Sequence, residues 1–255
     1  LIPTLYDYGK YSGKDKYNDL AKNAADWLLS IQAEEGGWQG LQIDETCDLR
    51  IFNSGMILDG LISAYIYEGD KKYLESAKKG MHWILGKTDS DNLFSENNVV
   101  GGGTFDTLVC ACLLMVIQFL DEPERIDLEA KMKEILNSHL EMQTDTGWFS
   151  NYNFSKDGTA LLHHLGYTID GLLISAEILE DDFFYQKAKK SARKLLSIFE
   201  VNKALPAYLF EDWSFKNDLG NGYTICVTGL CQIAIVFQKI GKKEDDNRFT
   251  SAALK

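Results

Sequence analysis

Proline is scarce, with three residues in 255, so long helices can run uninterrupted. No run of about 20 apolar residues occurs, which excludes a membrane-spanning helix. Positive charge is in the minority: 26 Lys and Arg against 38 Asp and Glu leave a formal net charge of -12. A nucleic-acid partner would need a basic face, and none is expected. The five cysteines, Cys47, Cys110, Cys112, Cys226 and Cys231, contain no CxxC pair. They read as small buried hydrophobes in a reducing compartment. Gly101-Gly102-Gly103 lacks a following Lys-Ser/Thr, so no phosphate loop is expected. No group of His, Cys, Asp and Glu has metal-ligand spacing, and no metal or cofactor is expected. The chain opens without a signal-peptide pattern, which points to the cytoplasm.

What the chain does have is a repeat. Leu29, Leu85, Leu140 and Leu196 stand at intervals of 56, 55 and 56 residues. Trp27-Leu28-Leu29-Ser30-Ile31-Gln32 is echoed by Trp83-Ile84-Leu85, by Leu140-Glu141-Met142-Gln143 and by Leu195-Leu196-Ser197-Ile198. A fixed period of this size is the signature of a repeat architecture. Apolar spacing predicts helices from about Lys16, Asn53, Lys72, Thr104, Asp127, His164, Asp182, Tyr223 and Glu244. The first carries Leu20, Ala24, Trp27, Leu28 and Ile31 on one face. Amphipathic, Lys- and Glu-rich segments alternate with segments apolar nearly all round, as outer and inner helices would.

This alternation predicts an all-α fold, an (α/α) barrel or toroid of helical hairpins forming one domain over 1–255; a stacked solenoid is the alternative. Nine helices do not close a ring of six hairpins. Either the ring is smaller or open, or further C-terminal helices are missing. Connections alternate too. Amphipathic helices lead into long Gly/aromatic loops, such as Gly36-Gly37-Trp38 and Gly147-Trp148-Phe149. Apolar helices lead into tight polar turns such as Gly69-Asp70 and Asp181-Asp182. Long loops on a rigid scaffold are where function concentrates.

Gln32-Ala33-Glu34-Glu35-Gly36-Gly37-Trp38 has the Gln-x3-Gly-x-Trp form, and Gln143 to Trp148 is a version one residue shorter. The motif resembles the repeat of squalene cyclases and related α/α-toroid proteins, where it ties an outer helix to the following loop. Four other strings resemble the squalene-cyclase-like proteins found with bacterial polysaccharide-biosynthesis genes. They are Ile51-Phe52-Asn53-Ser54-Gly55, Gly103-Thr104-Phe105-Asp106-Thr107, Leu162-His163-His164-Leu165-Gly166-Tyr167-Thr168 and Cys226-Val227-Thr228-Gly229-Leu230-Cys231-Gln232. The resemblance implies an (α/α) toroid and a glycan context, without a defined reaction. The chain departs from the family pattern at Asp106 and Asp170.

His163, His164 and Tyr167 stand where an apolar helix begins. His164 and Tyr167 are three apart and would share a face, offering an imidazole and a phenol for acid/base chemistry. Asp106 begins another apolar helix, either as a catalytic carboxylate or as an acceptor of backbone N–H groups. Asn53 is a further start, an N-cap or a substrate contact. Asp48 and Arg50 beside it read as a rim ion pair or a contact for an anionic sugar. Tyr152, Trp213 and Tyr223 are the loop aromatics for stacking on sugar rings, Trp213 because it belongs to no repeat; Trp38 and Trp148 read as packing.

The residues therefore suggest a protein acting on a glycan, with uronic-acid polymers as one class, by elimination, epimerisation or hydrolysis. A non-catalytic glycan-binding or scaffold protein of polysaccharide biosynthesis is the second reading, and an isoprenoid-handling toroid the third. The sequence leaves the oligomeric state open.

Overall fold

Asp70, Asp181 and Asp246 each open a helix in the same way. The carboxylate accepts the backbone N–H two residues on, from Lys72, Phe183 and Arg248 at 3.0, 3.1 and 3.0 Å. Each bond satisfies a donor that a first helical turn leaves open. Gly69, at φ 70, ends the preceding helix in the left-handed region that glycine enters without strain. The computed structural model describes residues 1–40, 48–94, 96–97, 103–150, 158–215 and 222–255.

Among these residues the helices are α1 (Ile2–Ser12), α2 (Lys16–Ser30), α3 (Ile51–Glu68), α4 (Lys71–Leu85), α5 (Thr107–Ile117), α6 (Glu122–Leu140), α7 (Leu162–Ile178), α8 (Asp182–Asn202), α9 (Val227–Glu244) and α10 (Asn247–Ala253). A 3-10 turn, Thr104–Asp106, leads into α5. Two short strands, β1 (Ala160–Leu161) and β2 (Tyr208–Leu209), pair antiparallel with Ala160 opposite Leu209. No helix of the described residues is long and apolar enough to cross a membrane.

The chain divides into two compact units, Leu1–Gly101 with Cys112–Met132 and Gly102–Ala111 with Lys133–Lys255. In the first, α1 and α2 pack on the α3–α4 hairpin. Its core holds Leu58, Leu61, Tyr73, Ile84, Phe94 and Trp38. In the second, α7 packs on α8 and α9, and α10 closes on α9. The N-terminal half of α7 is fixed by backbone contact: a Cβ at Gly171 would lie 2.4 Å from Leu108 N, and Thr107 Oγ1 donates to Thr168 O at 3.0 Å. Only glycine allows helix backbones this close.

Both units carry the same clasp, built from the Gln-Gly-Trp motif. Gln32 Nε2 donates to Gly36 O at 2.8 Å and to Ser76 O at 3.0 Å. Gln143 Nε2 donates to Lys187 O at 2.9 Å, 44 residues along, the same separation as Gln32 from Ser76. Lys79 reaches Ala33 O and Lys190 reaches Thr144 O, each across 46 residues. Gly36 and Gly147, at φ 114 and 88, turn the loops beneath these lysines. Trp38 lies fully buried, with its indole N–H on Leu28 O at 2.8 Å. The motif is therefore structural in this chain, as the resemblance implied.

Four expectations are corrected. Helix α1 was not foreseen, because only Ile2, Tyr6 and Gly9 are buried in it, about one residue per turn. On α2 the buried positions are Ala21 and Ala25, whereas Leu20 and Trp27 are about half exposed; small alanines admit the neighbouring helices and the larger side chains point away. Helix α9 is not enclosed: Val227, Cys231 and Ile235 are exposed at four-residue spacing, since α7, α8 and α10 cover only its other side. Of the cysteines, Cys110 and Cys112 are buried as expected, but Cys231 is exposed and Cys226 accepts Gly229 N–H to cap α9; Cys47 lies outside the described residues.

Candidate functional site

Helix α7 begins without a side-chain cap on its N-cap residue, Leu161. Its start is fixed instead by the sheet: β1 pairs with β2, and Leu162 N–H donates to Ala207 O at 2.7 Å. The strand therefore runs directly into the first turn, which carries His163 and His164. The His163 ring centroid lies 4.2 Å from that of Tyr167, one turn further on. The sequence spacing had paired His164 with Tyr167. The structure instead turns His164 toward Phe105 of the 3-10 turn, at 5.7 Å, with the two imidazoles 5.9 Å apart. Four-residue spacing overlays rings on a helix more closely than three when both side chains lean toward the N-terminus.

All three rings are half-buried, and burial decides their protonation. It pushes His163 below the ordinary imidazole range, and His164 to about 4 with a further contribution from His163. It pushes the Tyr167 phenol upward. Burial disfavours whichever form is charged, so near neutral pH the site holds neutral imidazoles and a protonated phenol.

A fourth residue of this cluster is absent from the candidate site residues of the sequence. Gln232 of α9 lies against Gly166 of α7, where a Cβ would be 3.0 Å from Gln232 Cβ and Oε1. A Cβ at Gly229, one turn earlier, would be 2.9 Å from His163 N. The two helices approach through paired glycines, and the Gln232 side chain reaches the His163–Tyr167 face. The available signal was Gly229, a residue small enough to let a neighbouring helix come close, one turn before Gln232. Further along, Lys239 forms an ion pair with Asp170 across the same helices.

The remaining residues chosen from sequence are distributed differently. Asp106 is fully buried and its Oδ2 accepts Gly103 N–H at 3.0 Å, the helix-start role. Trp213 is 8% exposed, has φ 67, and stands perpendicular to Trp148 at 5.3 Å, so it packs inside the loop despite belonging to no repeat. Tyr223 is half-buried and edge-on to Phe215 at 5.0 Å. In the first unit Arg50 and Asp48 form an exposed ion pair at 3.5 Å. Asn53 is exposed in the first turn of α3; the N-cap is Arg50, because the helix begins two residues before the expected start. Asn53 also borders a groove of about 370 Å³ with Trp27, Phe52 and Met56, and none of the α7 rings lines it. Tyr152 lies outside the described residues.

No protein-family model matches the chain, and no curated protein matches it in sequence. Solved structures do match. A sugar epimerase from a ruminal bacterium is similar at 17% identity and a TM-score of 0.75, over 99% of this chain and 71% of its own. A UGL variant in a structure with dGlcA-Glc-Rha-Glc is similar at 15% identity and a TM-score of 0.76, over 99% and 70%. The GH76A alpha-1,6-mannanase from Salegentibacter sp. HEL1_6 is similar at 13% identity and a TM-score of 0.71, over 93% and 68%. The chain has the (α/α) toroid fold. Identities this low speak for the fold alone, which is the fold that repeat period and alternating helix character predicted.

Proposed function

We propose that the protein is a carbohydrate-active enzyme of epimerase or lyase type, in which His163, His164 and Tyr167 exchange protons at a sugar carbon beside a carbonyl or carboxylate. The observation that carries this reading is the joining of neutral imidazoles and a protonated phenol on one turn, His163 being 4.2 Å from Tyr167 and His164 held at about 4. A neutral imidazole takes a proton and a protonated phenol gives one. Epimerisation uses both acts on opposite faces of one carbon; β-elimination uses a base at carbon and an acid at the departing oxygen. Hydrolysis asks for two carboxyl groups, and Asp106 on the adjoining turn is engaged with Gly103 N–H.

A sugar substrate is supported by the structural neighbours, of which one is a sugar epimerase, one a mannanase and one recorded with an oligosaccharide. Uronic-acid glycans fit the chemistry because their carboxylate acidifies the neighbouring C–H. A place in polysaccharide biosynthesis rests on the sequence resemblance. Ionisable rings beside a carboxamide make a poor lining for an isoprenoid, so that reading falls behind.

The test is proton exchange. Wild type, His164→Ala and Tyr167→Phe are incubated in D2O with neutral sugars, uronic acids and acidic polysaccharides. Deuterium in the sugar is followed by NMR, together with unsaturated and reducing-end products. Deuterium incorporation or unsaturation by wild type, lost in both variants, is the expected result. Glycan binding without exchange or cleavage across the panel would overturn the enzyme reading in favour of a binding protein.

A further inference from the structure

His163 and Tyr167 do not stand alone on α7. Gln232 faces them from α9, and the geometry that brings it there is costly to vary. A Cβ at Gly166 would sit 3.0 Å from Gln232 Oε1, and one at Gly229 would sit 2.9 Å from the backbone nitrogen of His163. Gly166 and Tyr167 are three and four residues after His163, so the Gly166 gap opens beside the line joining the two rings. A carboxamide is the side chain that presents one acceptor and one donor group at a single position. Among the described residues, Gln232 Oε1 and His163 Nδ1 are both buried without a partner of full hydrogen-bond geometry.

We propose that Gln232 is a positioning residue that supports the charged forms of this pair, its oxygen accepting from the His163 imidazolium and its amide N–H donating to the Tyr167 phenolate. The inference rests on the proton-exchange reading above. When His163 gains a proton, its new N–H meets an acceptor already in place. When Tyr167 loses one, the oxygen left behind meets a donor. The two ring effects agree in sign with this: the nearby Gln232 carboxamide raises His163 and lowers Tyr167, each against the larger opposing effect of burial. One side chain thus acts on both partners in the direction that proton exchange requires. The unmet Oε1 is the atom the imidazolium would engage.

Titration of the rings tests this directly, whatever the substrate. NMR titrations of His163 and Tyr167 are compared in wild type, Gln232→Leu and Gln232→Glu, with folding checked by circular dichroism. In Gln232→Leu the His163 midpoint is expected to fall and the Tyr167 midpoint to rise, with His139 unmoved. In Gln232→Glu, which keeps the shape and adds a negative charge, both midpoints are expected to rise. Unchanged His163 and Tyr167 midpoints in folded Gln232→Leu would overturn the proposal; if that variant does not fold, an unchanged His163 midpoint in Gln232→Glu does so. Because the readout needs no turnover, an inactive wild type with shifted midpoints would defeat the enzyme reading and leave the Gln232 linkage standing. Turnover with unmoved midpoints would do the reverse.

Discussion

Lys189, only 7% exposed in the middle of α8, is paired with Glu244 at the end of α9, and Tyr185 donates to the same carboxylate at 2.9 Å. Removing the acid leaves an ammonium buried without its counter-charge, whereas removing the lysine leaves a carboxylate near solvent. Glu244→Ala is therefore expected to cost about 2 kcal/mol, and Lys189→Met clearly less. Lys189, and then Tyr185, holds the Glu244 carboxyl below its usual range. Its contribution is present above the unfolded value near 4.5 and is lost as pH falls through the lower folded value. Urea midpoints of the two variants, at neutral and acid pH, check both statements.

His139 is completely buried, and neither ring nitrogen has a hydrogen-bond partner among the described residues. Burial lowers it from 6.5 to about 4. The unfolded chain takes up the proton first as pH falls, so stability declines from about 6.5 down to about 4. The decline from this residue is on the order of 3 kcal/mol. His139→Leu should therefore flatten the dependence of the urea midpoint on pH over that window. An equally steep dependence in the variant would place the acid sensitivity elsewhere.

The pH dependence of catalysis distinguishes a buried base from an exposed one. With His164 as the base, held at about 4, deuterium incorporation should stay level from neutrality down to about pH 5 and fall only below that; an inflection between about 5 and 6.5 would assign the base to His163, which burial lowers less far. A base at the ordinary imidazole value would give an inflection near 6.5. At alkaline pH the rate should hold until Tyr167 ionises, later than an exposed phenol would. His164→Ala is expected to lower kcat by roughly 10²- to 10⁴-fold, the usual contribution of a general base, with KM little changed.

The two clasps offer a comparison of like with like. A Cβ at Gly36 would lie 2.6 Å from Lys79 O, with φ 114, while one at Gly147 would meet Lys190 Cγ at 3.2 Å, with φ 88. Gly36→Ala should cost more than Gly147→Ala, about 3 against about 1–2 kcal/mol. A backbone carbonyl cannot yield as a side-chain carbon can. Thermal denaturation of the paired variants measures the difference.

Much of this was legible in the chain. The leucine period and the Gln-Gly-Trp motif follow local rules and appear in the structure as hairpins and clasps, and the alternation of helix character fails at α9, where one face is exposed. The tight polar turn at Asp181-Asp182 appears as a helix start, with Asp181 accepting Phe183 N–H, because a cap acts within its own turn. What stayed hidden depends on neighbours distant in sequence. The weak apolar pattern of Ile2–Ser12 gains meaning only where Ile2 meets Gly60. Trp213 looked free because no repeat claimed it, yet Trp148 had a place for it. Gln232 was read only as part of a family-like string, since nothing in its own segment says that Gly166 leaves room. His163 rather than His164 facing Tyr167 was a matter of one residue in helical phase.

Gln32 and Gln143 each reach a carbonyl 44 residues ahead. The loops and helices between differ in sequence, yet the two spans are equal in length. A fixed span of this kind acts as a ruler: an insertion in one loop must be offset by a deletion before the acceptor carbonyl, or be bulged out from the scaffold. Substitutions that leave the span unchanged keep the clasp in register. The imidazoles at the start of α7 occupy the place held by Phe52 and Asn53 at the start of α3. The two helix starts thus carry different side chains at one position of an equal span, imidazoles in one and a phenyl and a carboxamide in the other.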